Sequence, residues 1–290
     1  MDASKPFITR FAPSPSGYLH LGHAFSAWAA WSAAREAGGT MLLRIEDIDT
    51  TRCKPEFEDA ICEDLAWLGM EWPTPVRRQS EHFGDYADMI EKLRGLGVIY
   101  RCFKTRREVL EEISRAPHQP GEGPDHAVYR GPAKPLLASE ENDRLADGES
   151  FAWRLSLDRC REHLGARYDG LGFVDLERGD IEADPDQHGD VILARKDVGT
   201  SYHIAVVHDD ALQDVTHVVR GEDLLKQTSI HILLQTLLDL PQPNYLHHRL
   251  LLDEAGKRFA KRNKAATLRE MRAKGLSAND VLARFGGDAA

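Results

Sequence analysis

The chain has 290 residues, 42% of them hydrophobic and 29% charged, with a formal net charge of −10 at neutral pH. That length buries the core of one large domain, or of a domain with a sizeable insertion, and excludes a small staple-dependent fold. No apolar run approaches the roughly 18 residues of a membrane span, and the acidic balance argues against a nonspecific coat on nucleic-acid phosphates.

Residues Met1 to Pro6 are polar, with no apolar signal segment, and Cys53, Cys62, Cys102 and Cys160 form no C-x-x-C pair. Both features predict a reducing, cytoplasmic setting. Phe7 to Phe11 reads as a strand broken by Pro13-Ser14-Pro15-Ser16-Gly17, and Leu21 to Ala37, rich in Ala and Trp and closed by Gly38-Gly39, reads as a helix. Met41 to Ile45 is a second strand. Helices follow over Pro55 to Leu68, with Phe57, Ile61, Leu65 and Leu68 on one face, and over Ser80 to Leu96, repeating Phe83, Tyr86, Ile90 and Leu93. Such alternation implies an α/β parallel sheet.

Val98 to Phe103 is strand-like, and Thr105 with Glu108 forms a capping box for a short helix. From Ala116 to Gly148 the pattern dissolves into Pro, Gly and charge. Phe151 to Leu157 and Gly172 to Leu176 read as strands of an inserted α+β piece over about 98–188. Val191 to Arg195 and Asp214 to Gly221 are expected to resume the parallel sheet, followed by a long amphipathic helix from Glu222 to Leu240 that Pro241 ends. Tyr245 to Leu252 is a strand, Asp253 to Lys264 a polar loop, and Thr267 and Ser277 cap two closing helices.

Chemistry concentrates at the first strand-to-helix junction, Arg10-Phe11-Ala12-Pro13-Ser14-Pro15-Ser16-Gly17-Tyr18-Leu19-His20-Leu21-Gly22-His23. A helix N-terminus offers unpaired N–H groups and a positive dipole end to phosphate, and Gly22 lets a nucleotide approach the backbone. His20 and His23, three apart, can both face a triphosphate. Two basic clusters, Arg101, Lys104, Arg106 and Arg107, and Lys257, Arg258, Lys261, Arg262 and Lys264, each read first as solvated surface.

The junction resembles the ATP-binding signature of class I aminoacyl-tRNA synthetases in the form used by the glutamyl and glutaminyl group. Arg44-Ile45-Glu46-Asp47-Ile48-Asp49 resembles that group's next motif. Gly199 to His203 with Val206 to Asp210 resembles its amino-acid pocket helix, Thr216 to Asp223 the following strand and turn, and Gly256 to Arg262 its lysine loop, with Ala260 where relatives often carry serine. The resemblance implies a Rossmann-type parallel sheet with an inserted α+β subdomain and a short C-terminal helical segment. It divides the chain into 1–97 and 189–240 as halves of the catalytic domain, 98–188 as an acceptor- or anticodon-contacting insertion, and 241–290 as lysine loop and helices.

By the same resemblance Arg10, Ala12, Ser14, Glu46, Tyr202 and Arg220 line a glutamate site. His20, Gly22, His23, Glu222, Leu251 and Lys261 meet ATP, with His20, His23 and Lys261 catalytic. Taken singly, Arg220 reads equally as a surface ion pair, Tyr202 as a core aromatic, and Asp47 or Asp49 as a helix cap. A glutamate substrate carries two carboxylates and one ammonium, which its pocket must answer with cations and an anion. Mg2+ is expected with ATP. Some relatives hold zinc in the insertion, but Cys102-Phe103-Lys104 and Tyr129-Arg130-Gly131 keep too few ligands, so no zinc is expected.

Family members that charge tRNA 3′ ends continue into an anticodon-reading domain, whereas this chain stops about 28 residues after Arg262. The implied activity is therefore tRNA-independent formation of glutamyl-adenylate, then transfer of glutamate to the queuosine of tRNA(Asp), by a monomer that binds no membrane. Two alternatives stay open: a truncated enzyme charging a 3′ end, and a noncatalytic glutamate- or nucleotide-binding regulator.

Overall fold

The computed structural model describes residues 6–115, 128–131, 136–195, 197–251 and 266–285. In chain order the first half contains β1 (Ile8–Phe11), α1 (Leu21–Glu36), β2 (Thr40–Ile45), α2 (Pro55–Trp67), β3 (Arg77–Arg78) and α3 (Phe83–Gly95). The middle holds β4 (Ile99–Cys102), α4 (Arg106–Arg115), α5 (Ala138–Ala146), β5 (Ala152–Leu155), α6 (Leu157–Leu164), α7 (Ala166–Asp169), β6 (Gly172–Asp175), β7 (Gly179–Glu182) and β8 (Ile192–Arg195). Then come α8 (Tyr202–Leu212), β9 (His217–Gly221), α9 (Thr228–Leu237), β10 (Asn244–His248), α10 (Leu268–Ala273) and α11 (Ala278–Leu282).

β1, β2 and β3 pair in parallel, and β10 pairs in parallel with both β9 and β6. Thr216 N–H donates to the Ile8 carbonyl at 3.0 Å, setting β9 beside β1. The chain thus leaves β1 toward one edge and β9 toward the other. The crevice at the carboxyl ends of such diverging strands is where open α/β sheets bind ligands.

Both faces of the sheet are covered, as parallel strands require. Met41, Leu43, Ile45, Val219 and Leu246 meet one core, with α1 and α2, while Leu42, Val218 and Tyr245 between them meet another, with α3, α8 and α9. The period of two in a strand makes this division. Ala24, Ala27, Ala30 and Ala34 are all buried, and small side chains let α1 lie close on the sheet. At Gly39 an added Cβ would stand 1.9 Å from the Phe7 carbonyl oxygen, so only glycine fits the turn into β2.

Three expectations need correction. Val191 to Arg195 does not resume the parallel sheet: β8 pairs antiparallel with β5, in the order β4-β5-β8. Gly172 to Leu176, expected among the inserted strands, supplies β6 beside β10. A short apolar run signals a strand but carries no information about its partner. The long helix from Glu222 is a 3₁₀ turn, Glu222–Leu224, followed by the shorter α9, which has nine of its ten residues buried and so is enclosed on nearly all sides.

Among the described residues no helix is long and apolar enough to cross a membrane. The polar loop over Asp253 to Lys264, with Lys261 and the second basic cluster, lies outside the described residues.

Candidate active site

β1 ends at Phe11, and the following loop delivers the chain to the start of α1, where His20 is the N-cap. His20 Nδ1 accepts from Gly22 N–H at 3.1 Å, and His23 Nδ1 accepts from His20 N–H at 3.4 Å. The two rings stack with centroids 3.7 Å apart. With Nδ1 accepting, each neutral imidazole carries its proton on Nε2, the form that donates to an anion. The helix dipole adds to the same field.

A cleft of about 650 Å³ opens over this junction, a size that suits a small-molecule site. Its lining includes His20, Gly22, His23 and Leu251, expected to meet ATP, and Arg10, Ala12, Ser14, Glu46, Tyr202 and Arg220, expected to meet the amino acid. Glu222 is not among the lining residues. The tight 3₁₀ turn rotates it toward Arg178, with which it pairs at 3.2 Å, and brings Asp223 to the cleft instead. Lys261 lies outside the described residues; Leu251, before its segment, lines the cleft, and Thr267, after it, bridges to His20.

Charge is unevenly distributed around Arg10, Glu46 and Arg220. Arg10 Nε donates to Asp210 Oδ1 at 3.0 Å, and Arg44, fully buried, reaches the same oxygen at 2.8 Å and Glu46 at 3.3 Å. Arg77 pairs with Asp209 at 2.8 Å. In this network Arg10, Arg44 and Arg77 meet Glu46, Asp209 and Asp210, and the half-exposed Asp85 also pairs with Arg77 at 2.8 Å. Burial works to raise the Asp210 pKa, but Arg10 and Arg44 together hold it below the usual carboxylate range.

Arg220, 5% exposed, has no such counter-charge among the described residues. Its guanidinium donates to His247, Tyr202, His231, the Leu224 carbonyl and Thr228, at 2.6–3.3 Å. Burial first, then the Arg220 cation, hold His231 well below the usual imidazole range and His247 down at about 4, so both are neutral. Arg220 is therefore a buried cation without a carboxylate partner among the described residues, on a cleft that Glu46 also lines. A buried charge of this kind calls for a partner that arrives with the ligand.

Glu46 yields a pH prediction. Burial raises its pKa above the ordinary 4.5, with Arg44 and Arg10 opposing and Asp210 adding to the rise. An ammonium held by Glu46 needs the carboxylate, so affinity is full above that raised pKa and is lost as pH falls through it. The KM for glutamate should climb on acidification from a higher pH than an ordinary glutamate would give, and Glu46→Gln should flatten the climb. The substrate's own carboxyls titrate in both proteins, so identical profiles would remove Glu46 from ammonium binding.

The first basic cluster is largely compensated. Arg101 pairs with Glu141 at 3.2 Å, Lys104 with Glu112, and Arg107 with Glu111 at 3.7 Å. Any phosphate binding there competes with these carboxylates. Nearby, Cys102 Sγ lies 3.9 Å from the Tyr129 hydroxyl, while the Arg154 guanidinium stands 4.5 Å and the Lys104 ammonium 5.8 Å from the Tyr129 ring centroid.

Arg44, Asp209, Asp210 and Asp223 escaped sequence reasoning as functional residues. The signal available was an arginine inside an otherwise apolar strand, Thr40–Ile45, and two adjacent acids in an apolar helix, each anomalous unless paired.

A parallel sheet with its crevice at a strand switch, a helix start that offers N–H groups to an anion, and an adjoining cleft lined by arginines and a carboxylate together suit an enzyme that brings a nucleotide and an amino acid together. The chain belongs to the tRNA synthetases class I (E and Q), whose catalytic domain matches residues 7–284. It is 46% identical over 282 residues to the Glutamyl-Q tRNA(Asp) synthetase of Rhodobacter capsulatus, covering 94% of this chain and 98% of that one. The protein of the same name from Symbiobacterium thermophilum is 40% identical over 282 residues, 94% of this chain and 83% of that one. Among solved structures, a glutamate tRNA ligase from Elizabethkingia meningosepticum in complex with its amino acid superposes with a TM-score of 0.71 at 28% identity. That match covers 89% of this chain and 52% of the ligase, so this chain spans about half of it.

Proposed function

We propose that the protein activates L-glutamate with ATP to glutamyl-adenylate without tRNA, then transfers glutamate to the cyclopentenediol of queuosine in tRNA(Asp). The observation that carries the glutamate reading is one cleft lined both by Arg220, a buried cation without a carboxylate partner among the described residues, and by Glu46, which suits a ligand with a carboxylate and an ammonium. In the first step an α-carboxylate oxygen attacks the α-phosphorus and pyrophosphate leaves. In the second a diol hydroxyl attacks the acyl carbon, loses its proton and releases AMP.

In this reading the side chain's carboxylate meets Arg220, taking over from the Tyr202 hydroxyl, and the ammonium meets Glu46. Arg10, Ala12 and Ser14 close the amino-acid side. The Nε2–H groups of His20 and His23, with Gly22 and the α1 N-terminus, stabilise the phosphates as charge builds, so the protein mainly positions reactants and preorganises charge. Lys261 supplies a further cation, and Leu251 packs by the nucleotide. Mg2+ enters with ATP. The inserted piece that carries β4, β5 and β8 contacts the anticodon stem-loop and holds no zinc, a reading supported by two cations standing near the Tyr129 ring, where a metal would be repelled. The protein acts as a cytoplasmic monomer.

The acceptor reading is supported by the names of the relatives that this chain matches over most of their length. Its test is transfer of labelled glutamate to tRNA(Asp) with and without queuosine, to the isolated queuosine-containing anticodon stem-loop, and to tRNA(Glu). Label is expected on the queuosine-containing tRNA and stem-loop alone. Label on the 3′ adenosine of tRNA(Glu) would instead establish 3′-end charging.

A further inference from the structure

The surplus cation of the amino-acid pocket is held by a relay that runs across three neighbouring strands. Arg220 on β9 and His247 on β10 are register partners, and β6 brings Asp175 to the other side of β10. Arg220 Nε donates to His247 Nε2 at 3.3 Å, and His247 Nδ1 lies 2.7 Å from Asp175 Oδ2. Asp175 and His247 are completely buried.

The chemistry of the three groups gives the relay one direction. An arginine Nε can only donate, so His247 Nε2 must present its lone pair, which leaves the imidazole proton on Nδ1, pointing at a carboxylate that can only accept. Thr228, whose hydroxyl lies 3.1 Å from His247 Nε2, also accepts from Arg220 NH2 at 2.6 Å. The guanidinium is thereby gripped along its Nε and NH2 side, and its NH1 is turned to Tyr202 at 3.2 Å, on the cleft wall.

We propose that Asp175 and His247 are positioning residues for substrate selection: Asp175 sets the imidazole tautomer, and His247 sets the plane in which Arg220 meets the ligand's carboxylate. The inference rests on the reading that Arg220 takes a carboxylate of glutamate. Neither residue lines the cleft. Asp175 also accepts from the backbone N–H of His247, Glu177 and Arg178 at 3.1–3.2 Å, so a purely architectural role is the alternative to be separated.

Asp175→Asn tests the relay. An asparagine oxygen can still accept from the Glu177 and Arg178 N–H groups, which use Oδ1, whereas the His247 N–H shares Oδ2 with Nδ1 and loses its acceptor, so the pair of His247 variants carries the separation from architecture. Its amide N–H₂, turned toward Nδ1, would drive the imidazole proton to Nε2, where it faces the Arg220 Nε–H donor against donor. Replacing the aspartate of a serine-protease triad by asparagine selects the wrong histidine tautomer for the same reason. In glutamate-dependent ATP–pyrophosphate exchange with the full chain, the KM for glutamate should rise on the order of 10- to 100-fold while the KM for ATP stays within about twofold. His247→Gln, whose amide oxygen can accept from Arg220, should recover most of the wild-type glutamate KM, while His247→Leu should not. If Asp175→Asn fails to fold, the His247 pair still decides. Equal rises in both KM values, equal behaviour of His247→Gln and His247→Leu, or an unchanged glutamate KM would overturn the relay. Arg220→Lys is run in parallel: an unchanged glutamate KM there would show that the reading of Arg220 itself fails, independently of the relay.

Discussion

Arg220→Ala is expected to lower kcat/KM for glutamate by on the order of 10²–10³-fold while the protein stays folded. Removing one partner of a buried ion pair typically costs about 3–5 kcal/mol, and at this site the pair forms only when the ligand's carboxylate arrives. Without ligand the guanidinium is surrounded by neutral acceptors, Tyr202, His231, Thr228, His247 and the Leu224 carbonyl. Several of these can pair with one another once it is gone, as Thr228 and His247 already do at 3.1 Å, so the fold should tolerate the loss. Arg10→Ala should cost less, because Asp210 keeps Arg44 at 2.8 Å. Exchange kinetics together with circular dichroism measure both variants. A larger loss for Arg10 than for Arg220 would reassign the carboxylate-reading cation.

The second large effect is on stability. Asp209, fully buried on α8, accepts from Arg77 Nε at 2.8 Å, Gln79 Nε2 at 2.9 Å and the Tyr86 hydroxyl at 3.0 Å, with Arg44 Nε at 3.8 Å. Asp209→Ala leaves these donors without their anion in a closed interior. The expected loss is about 3–5 kcal/mol, a large share of the roughly 5–15 kcal/mol that holds a typical domain together. Asp209→Asn, which keeps an acceptor, should be milder. Asp85→Ala removes a half-exposed partner of Arg77 and should cost under about 1 kcal/mol. Urea midpoints of the three variants give the order, and a wild-type midpoint for Asp209→Ala would show that the network carries no stability.

The site came from the sequence most clearly where chemistry and local structure coincide. His20 and His23 sit at a strand-to-helix junction that proline, serine and glycine announce, and the structure places both on the cleft with Gly22. Arg10, Glu46, Tyr202 and Arg220 lie about 210 residues apart along the chain at the extremes, yet line the same cleft. Their motifs were legible, but which arginine carries surplus charge was not. That depends on Asp210, which reaches Arg10 from α8 across 200 positions of sequence.

Glu222 illustrates the opposite case. Its place inside the Thr216 to Asp223 motif implied, by resemblance, contact with ATP, whereas a single 3₁₀ turn directs it to Arg178 and gives the cleft Asp223. A difference of one residue in facing lies below what periodicity can resolve over a short turn.

By itself the sequence determined the elements whose pattern is long and regular, β1, α1, β2, α2 and α3, and the chemical types needed to bind a phosphate and an amino acid. These follow from local rules: side-chain period, capping and turn chemistry act over a few residues. Only the tertiary structure decided that β8 joins β4 and β5, that β6 stands beside β10, and that Asp175, His247 and Arg220 form one line through the sheet. The physical reason is common to all three. Strand pairing and charge compensation are set by partners distant in sequence, and a residue's own neighbours in the chain carry no record of which distant group will reach it.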